Sequence, residues 1–173
     1  NDGTQTVYIP NDGYVEFAAV SSGGKSAEGI IEYNFLSGWK YARASSGGSG
    51  AGISGRIRGV NSITFELKTW YSDGRVIITV GADTITLGKG GDATAGDPAG
   101  QPGQGGVITT TYSESELQTT FENLIMENGS PGEQGALSGL YAKTPGGTIG
   151  FGSGNYGTGG EGRTSSMNYG RGH

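Results

Sequence analysis

Residues 88–106 read GKGGDATAGDPAGQPGQGG, and residues 145–162 read PGGTIGFGSGNYGTGGEG. Thirty-seven of the 173 residues are glycine, roughly three times the average share of about 7%. Glycine loses more conformational freedom on folding than any other residue, and segments of this composition ordinarily stay disordered. An ordered form therefore needs backbone hydrogen bonds between close-packed strands or extended helices, because these segments have no aliphatic side chains to build a core.

The first 87 residues show the pattern of short β-strands separated by turns. Residues 62–70 alternate between an apolar face that begins at Ile63 and a polar face that begins at Thr64, as in a half-buried strand. Asn11-Asp12-Gly13 predicts a hairpin between the first two strands, and Ser37-Gly38 predicts a second hairpin. The remaining predicted strands are 6–9, 14–18, 30–35, 39–44, 75–80, 84–87 and 107–112. This spacing indicates an antiparallel β-sandwich or jelly roll.

One helix is predicted over about residues 114–128. Ser113 stands three residues before Glu116, which is the capping-box pattern, and Asn128-Gly129 followed by proline supplies a stop signal. The apolar stripe of this helix would consist of Leu117, Phe121, Leu124 and Ile125. We expect the stripe to pack on the nearby β-domain or on a second copy of the chain, as amphipathic helices usually do.

The sequence thus predicts a β-sandwich domain over residues 1–87 and a glycine-rich distal region with one helix over residues 88–173. Two stretches rich in serine and glycine, 21–25 and 45–55, are predicted to be loops of the first domain. Apolar residues make up only 32% of the chain, so any hydrophobic core must be small and local.

Charge and composition exclude several classes of partner. The net charge is −5 and no basic patch stands out, so a nucleic-acid partner is not expected. No apolar run approaches the ~20 residues of a membrane-spanning helix, and no membrane insertion is expected. The chain has no cysteine, which excludes a disulfide framework. It begins at Asn1 without a methionine, which is consistent with a processed product or a fragment of a longer chain.

The sequence offers no catalytic machinery, and we expect neither enzymatic activity nor a cofactor. The only histidine is His173, the last residue, where a catalytic base would sit on a fraying terminus. No pair of carboxylates is singled out for glycoside hydrolysis. Calcium bound by Asp92, Asp97 and nearby carbonyls is an open alternative, although the Asp-rich loop pattern is absent.

Aromatic residues in polar, glycine-flanked surroundings are the candidate binding groups, because aromatic faces with polar tips suit sugar and protein recognition. For Trp39 and Trp70 we favour packing in the β-domain core. The glycine-rich region has little aliphatic core for rings to join, so its aromatics are predicted to form a binding surface. The predicted receptor-binding residues are Tyr141, Phe151, Tyr156 and Tyr169, with Asn155, Asn168 and Arg171 as hydrogen-bond donors.

The β-domain, the run at 88–106 and the Tyr- and Gly-rich loops together resemble the distal parts of tailed-bacteriophage tail fibres. The opening VYIPNDGYVEFAAV is also similar to the first hairpin of small β-sandwich modules in phage receptor-binding proteins. The resemblance implies a lattice of polyglycine-II helices whose connecting loops contact the host. It implies a non-enzymatic adhesin in the virion that attaches to a bacterial surface glycan or outer-membrane protein.

A chain with 32% apolar residues and a one-sided helix gains from burying the apolar stripe against copies of itself, so we expect a homo-oligomer with Leu117, Phe121 and Ile125 at or near the contact. The resemblance implies that this oligomer is a trimer. The competing interpretation is a structural subunit of an extracellular filament, capsid or surface layer, whose glycine-rich arms contact neighbouring copies. An enzymatic depolymerase is a more distant third.

Overall fold

The computed structural model describes residues 2–36, 38–42, 44–69, 71–94, 100–135, 143–148 and 157–163. This part of the chain is mainly β, with one short helix. The strands are β1 (Gly3–Tyr8), β2 (Tyr14–Val20), β3 (Ile30–Asn34), β4 (Gly38–Ala42), β5 (Gly52–Arg58), β6 (Ser62–Leu67), β7 (Val76–Val80), β8 (Asp83–Leu87), β9 (Ile108–Thr110), β10 (Phe121–Glu127), β11 (Lys143–Thr144) and β12 (Gly162–Arg163). The helix, α1, spans Glu114–Thr120.

Two antiparallel sheets form a sandwich, which confirms the predicted fold class. One sheet has the strand order β1-β6-β7-β8-β9 and the other has the order β10-β5-β2. Their facing sides share one hydrophobic core, in which Ile53, Ile57, Ile63 and Ile85 are fully buried. The alternation read from residues 62–67 places Ile63 in this core while the neighbouring Ser62 and Thr64 stay partly exposed, as a strand with one buried face requires.

The first predicted hairpin is wrong, although its turn exists. The amide of Gly13 donates to the carbonyl of Pro10 at 2.8 Å, and Asp12 has a φ of +67°. The turn does not join paired strands, because β1 pairs with β6 in one sheet and β2 pairs with β5 in the other. Residues 9–13 therefore carry the chain across the sandwich. The second predicted hairpin is confirmed, since β3 and β4 are antiparallel partners.

The predicted helix is correct only in its first half. Ser113 and Glu116 form the expected capping box, but α1 ends at Thr120 and the next seven residues form β10. The ring of Phe121 lies in the core, 6.0 Å from Phe17 and 5.7 Å from Tyr112 between centroids. Pairing with β5 and burial of this ring outweigh the helical pattern, as tertiary contacts often do. The predicted stripe therefore does not exist, and Ile125 lies 59% exposed on a strand.

The predicted loop at 45–55 is wrong in its last four residues, whereas residues 21–25 and 45–51 form neither helix nor strand, as predicted. Residues 52–58 form β5, the central strand of the three-stranded sheet. The rest of both stretches joins the glycine-rich segments in a packed structure, which we call the glycine bundle. Its seven extended segments are g1 (21–27), g2 (44–51), g3 (88–94), g4 (100–106), g5 (128–135), g6 (145–148) and g7 (157–161).

Segment g2 is the axis of the glycine bundle, and every one of its residues is buried. Its amides donate in a repeat of three, to g5, g7 and g3 in turn, and its carbonyls accept from g1, g4 and g6. Six neighbours thus surround g2, with hydrogen bonds of 2.7–3.4 Å. The donors are Ser46 and Ser49 to g5, Gly47 and Gly50 to g7, and Gly48 and Ala51 to g3. Threefold periodicity without internal hydrogen bonds is the geometry of polyproline II-type helices, as expected for polyglycine-II packing.

Glycine is required where these segments touch. A Cβ on Gly24 would lie less than 3.0 Å from the carbonyl of Gly91, and one on Gly48 would lie equally close to the carbonyl of Gln104. Real Cβ atoms essentially never approach backbone this closely. The spacing of the glycine bundle therefore admits only glycine at these points, much as collagen does at its axis.

The predicted division of the chain at residue 87 stays a prediction. Both sheets and the glycine bundle draw on residues from each side of that position. Strands β9 and β10 follow residue 87 and complete the two sheets, while g1 and g2 precede it.

Candidate functional site

The glycine bundle has a distal end that lies away from the sheets. Segments g1, g3, g5 and g7 leave the sheets, and g2, g4 and g6 run in the opposite direction. The carbonyl of Ser45, at the start of g2, accepts a hydrogen bond from the amide of Ala27 at the end of g1. The hydroxyl of Ser45 accepts a hydrogen bond from the amide of Gly135 at the end of g5. The chain therefore turns from an outgoing to a returning segment at the same end several times over. A rigid scaffold that carries connections at one end is a common way to position a binding surface.

The hairpin of β3 and β4 connects g1 to g2 at this distal end. Its turn carries Phe35, which is 90% exposed, and Leu36, which is 93% exposed. They are the most exposed large apolar residues in the described part of the chain. Two adjacent apolar side chains held in solvent on a tight turn gain free energy when another surface covers them. This pair is the first element of the candidate site.

Small side chains form the base beneath the hairpin. Ala27, Ala44 and Ala93 make a separate buried cluster that joins g1, g2 and g3. The hydroxyl of Ser45, fully buried, donates to the carbonyl of Gly100 at 2.9 Å. This contact ties g2 to g4. The distal ends of g1, g2 and g3 are therefore held together by packing, and the end of g4 is held to them by the Ser45 hydrogen bond.

Buried serine hydroxyls of g2 also join g5 to g6. The amide of Glu133 donates to the hydroxyl of Ser46 at 2.7 Å, and that hydroxyl donates to the carbonyl of Pro145. One turn away, the amide of Ser130 donates to the hydroxyl of Ser49 at 2.8 Å. The Ser49 hydroxyl donates in turn to the carbonyl of Thr148 at 2.9 Å. Each hydroxyl therefore connects three segments of the glycine bundle: g2, g5 and g6.

One charged cluster lies on the flank of the glycine bundle. The carboxylate of Asp92 accepts from the amide of Lys25 at 2.9 Å and from the ammonium of Lys89 at 2.9 Å. Burial would raise the pKa of Asp92, but the hydrogen bonds from Lys89 and Lys25 outweigh it and the pKa is lowered. The carboxylate is thus held ionised by two lysines, which is a structural role.

The calcium alternative finds no support at this carboxylate. Asp97, the second acid of that hypothesis, lies outside the described residues. Across the described ranges, no three His, Cys, Asp or Glu side chains come together in a way that could hold a metal ion. Among the same residues, no helix is long and apolar enough to cross a membrane.

The predicted receptor-binding residues all lie outside the described residues: Tyr141, Phe151, Asn155, Tyr156, Asn168, Tyr169 and Arg171. Trp70 lies outside them as well, and only the backbone of Trp39 is described. The described chain on either side of Tyr141, at residues 135 and 143, lies at the distal end. Residues 148 and 157, which flank Phe151, Asn155 and Tyr156, lie beside Ser49 and Gly50 near the sheets.

Sequence reasoning missed Phe35 and Leu36 as a candidate contact. The prediction treated residue 35 as the end of a strand and placed the turn at Ser37-Gly38, so the exposed position of both side chains was not recognised. The available signal was two large apolar residues directly before a Ser-Gly turn. Such residues cannot both face a core when the turn reverses the chain.

No protein-family model, no curated protein sequence and no solved structure matches this chain.

Proposed function

We propose that this chain is the receptor-binding part of a phage tail fibre or spike, a virion adhesin that attaches to a bacterial surface glycan or outer-membrane protein. The observation that carries the proposal is the distal end of the glycine bundle. Interlocked backbone segments end there together, and an exposed apolar hairpin tip projects beyond them. The resemblance of the glycine-rich segments to those of tail-fibre adhesins supports the same conclusion.

The physical advantage of this architecture is preorganisation. Binding is weakened when loops must be ordered at the moment of contact, at a cost of about 0.5–1.5 kcal/mol for each immobilised side chain. A bundle whose central segment, g2, is hydrogen-bonded to six neighbours limits this cost at the ends of its connections. The adhesin needs no catalytic group or cofactor in this role.

The sequence-predicted residues Tyr141, Phe151, Asn155, Tyr156, Asn168, Tyr169 and Arg171 stay part of the proposed contact. Residues 148 and 157, which flank Phe151, Asn155 and Tyr156, lie near the sheets, so these three would contact the receptor apart from the distal end. We place the distal contact at the hairpin tip, Phe35 and Leu36. Its side chains carry no hydroxyl or amide, so it would supply apolar contact area, while the tyrosines and asparagines would supply hydrogen bonds.

The test is retention of the fluorescently labelled chain on whole cells of a panel of Gram-negative strains. On a strain that binds, Phe35→Ala should weaken attachment by about thirtyfold, the equivalent of ~2 kcal/mol at an interface hot spot. Tyr71→Ala is the matched control, because Tyr71 is 77% exposed but lies on the turn between β6 and β7. Equal loss in both variants, or retention by no strain in the panel, would contradict the proposal.

The second candidate function is a structural subunit of a filament, capsid or surface layer. The observation that favours it is the exposed outer edge of β1, which could pair with neighbouring copies. Spontaneous polymerisation of the isolated chain without attachment to any cell would support this function over the adhesin.

We also propose that the chain is a homo-oligomer, with a trimer as the expected state. The contact predicted from the helical stripe needs correction, because Phe121 is only 4% exposed and packs inside its own chain. Phe121 therefore cannot form the contact, whereas Ile125 is 59% exposed on β10.

A further inference from the structure

We propose that the subunits of this homo-oligomer join edge to edge, with β1 of one copy adding antiparallel to β2 of the next. The inference rests on the proposed oligomeric state and identifies the surface that forms it. The partner is a second copy of this chain, and three such contacts close a ring of three.

Within the part of the chain that the structure describes, β1 and β2 each have a strand partner on one edge only, and their outer edges lie on the same side of the sandwich. Phe17 of β2 packs against Phe65 of β6, the neighbour of β1, with ring centroids 5.8 Å apart. Phe121 of β10 packs against Tyr112, which follows β9. Strand β2 therefore lies over the β1 end of the larger sheet, and β10 lies over the β9 end. We call the side with β1 and β2 the open side.

Backbone groups on the open side are directed outward at alternate residues. The amide of Ile9 donates to Asn61, in register with β6, and the amide of Ser21 donates to Ala51, in line with β5. Because inward and outward groups alternate along an antiparallel strand, the even-numbered residues present theirs to the outside. On β1 these are Thr4, Thr6 and Tyr8, and on β2 they are Tyr14, Glu16, Ala18 and Val20.

The opposite side of the sandwich is protected against such pairing. The outward amide of Ile108 in β9 is taken by the side chain of Asn128 at 2.8 Å. Asn123 interrupts β10 with a φ of +52°, and the pairing with β5 shifts between Glu122 and Ile125. Bulges and covered edges are the usual protection against unwanted strand pairing. In the described residues, β1 has neither a bulge nor a charged side chain from Gly3 to Tyr8. Its outer edge is therefore suited to pairing with another strand.

An antiparallel register brings complementary residues together. Placing Tyr8 opposite Tyr14 of the next copy also places Thr6 opposite Glu16 and Thr4 opposite Ala18, and every one of these is an outward-directed residue. Tyr8 is 79% exposed and Tyr14 is 55% exposed, and aromatic pairs across strands stabilise a sheet. The guanidinium of Arg56 already lies 4.4 Å from the Tyr14 ring centroid, which holds that ring in place.

Charge favours this pairing over the symmetric alternative. Pairing β2 with β2 would bring Glu16 of two copies towards each other, and like charges across strands are destabilising. Pairing β1 with β2 places Glu16 only against an uncharged strand. Such a contact uses two different surfaces, and it closes when three copies surround an axis. The five-stranded sheet of each copy then continues into the three-stranded sheet of the next.

The first test is the mass of the native particle at micromolar concentration, measured by light scattering. We expect a trimer for the wild type and a monomer for Thr6→Pro, because proline removes an outward amide donor and leaves the backbone hydrogen bonds to β6 in place. The substitution also removes the exposed hydrogen bond between the Thr6 and Thr64 hydroxyls. Thr110→Pro is the matched control at the protected edge, where the amide is also directed away from its sheet, and it should stay trimeric. A monomeric wild type, or a trimeric Thr6→Pro with native circular dichroism, would overturn the proposal.

The second test does not depend on tolerance of proline. The chain has no cysteine, so Tyr8→Cys and Tyr14→Cys can be made separately, refolded together and oxidised. Opposed residues of an antiparallel pair have Cα atoms about 5.5 Å apart, within the range that a disulfide can span. A disulfide-linked dimer should form in the mixture and in neither variant alone. Dimers of Tyr8→Cys alone would instead show that β1 pairs with β1 and would refute the heterologous contact.

Cell binding separates this inference from the proposed function. Thr6→Pro chains that attach to cells more weakly, as expected from lost multivalency, would leave both intact. A wild-type monomer that attaches to cells would refute the interface and leave the adhesin standing.

Discussion

The sandwich is stabilised mainly by its side chains, whereas the glycine bundle is stabilised mainly by its backbone. In the sandwich, isoleucines and phenylalanines fill the space between two sheets, and the burial of each contributes about 1.5–3 kcal/mol. In the glycine bundle, the chains approach too closely for side chains, and backbone hydrogen bonds with a few serine hydroxyls hold g2 among six neighbours. Low hydrophobicity in the glycine-rich segments therefore excludes a side-chain core there but does not exclude an ordered, buried interior.

The largest expected loss of folding stability comes from adding a single methyl group inside the glycine bundle. Gly48→Ala places a Cβ against the backbone of Gly103 and Gln104, where no flexible side chain can move aside. We expect a loss of about 4 kcal/mol or more, the range of severe single substitutions, measured by chemical denaturation. Gly3→Ala is the control, because nothing lies within 4 Å of a Cβ at Gly3. Equal stability of the two variants would mean that the bundle is not close-packed.

A smaller effect is expected where a hydroxyl is removed without a steric clash. Ser49→Ala leaves the amide of Ser130 and the carbonyl of Thr148 without this hydroxyl partner, and both hydrogen bonds are part-buried. A hydrogen bond contributes about 0.5–1.5 kcal/mol, so we expect a loss of about 1–2 kcal/mol for the two in the same denaturation measurement. Ser115→Ala, on the exposed face of α1, should change stability by less than about 0.5 kcal/mol. If Ser49→Ala matches that control, the hydroxyls do not hold g5 and g6.

The smallest expected effect is confined to the sandwich and depends on pH. Hydrogen bonds from the Ser72 hydroxyl and the Thr69 amide lower the pKa of Asp2 to about 2 from 3.8. Ionised Asp2 therefore stabilises the attachment of β1 above about pH 4, and this contribution is lost as the pH falls from 3.8 to about 2. The protection of the Thr69 amide against hydrogen exchange should fall in that range.

Asp2→Asn should remove the pH dependence of Thr69 protection, while Gly48, in the neutral interior of the glycine bundle, should keep its protection throughout. The same pH profile at Thr69 in the wild type and in Asp2→Asn would show that another group is responsible. The acid sensitivity would then belong to the sheets as a whole rather than to Asp2.

Local signals predicted the elements whose partners lie nearby in sequence. The alternation at Ile63, the hairpin of β3 and β4, and the capping box at Ser113 and Glu116 are all present. Signals failed where a distant partner decided the outcome. The sequence around Phe121 fits a helical stripe equally well. Packing of its ring between Phe17 and Tyr112 makes Phe121 the first residue of a strand.

The candidate site was predictable to a smaller extent. The sequence pointed to aromatics of the glycine-rich region, and those residues lie outside the described part of the chain. Phe35 is predicted as the end of a strand and Leu36 as the residue before the turn, because their exposure depends on where the turn falls. The serines at 45, 46 and 49 were read as loop residues because nothing in the local sequence distinguishes a flexible Ser-Gly loop from a buried segment.

The sequence by itself determined that this protein is mainly β and that its glycine-rich segments, if ordered, must be held by the backbone. Both conclusions follow from the intrinsic properties of residues: alternation defines a strand face, and glycine has no side chain to pack. Only the tertiary structure decided that residues 44–51 form the axis of the glycine bundle. The reason is physical, since six neighbours from separate parts of the chain must satisfy its donors and acceptors, and no local pattern records where those neighbours come from.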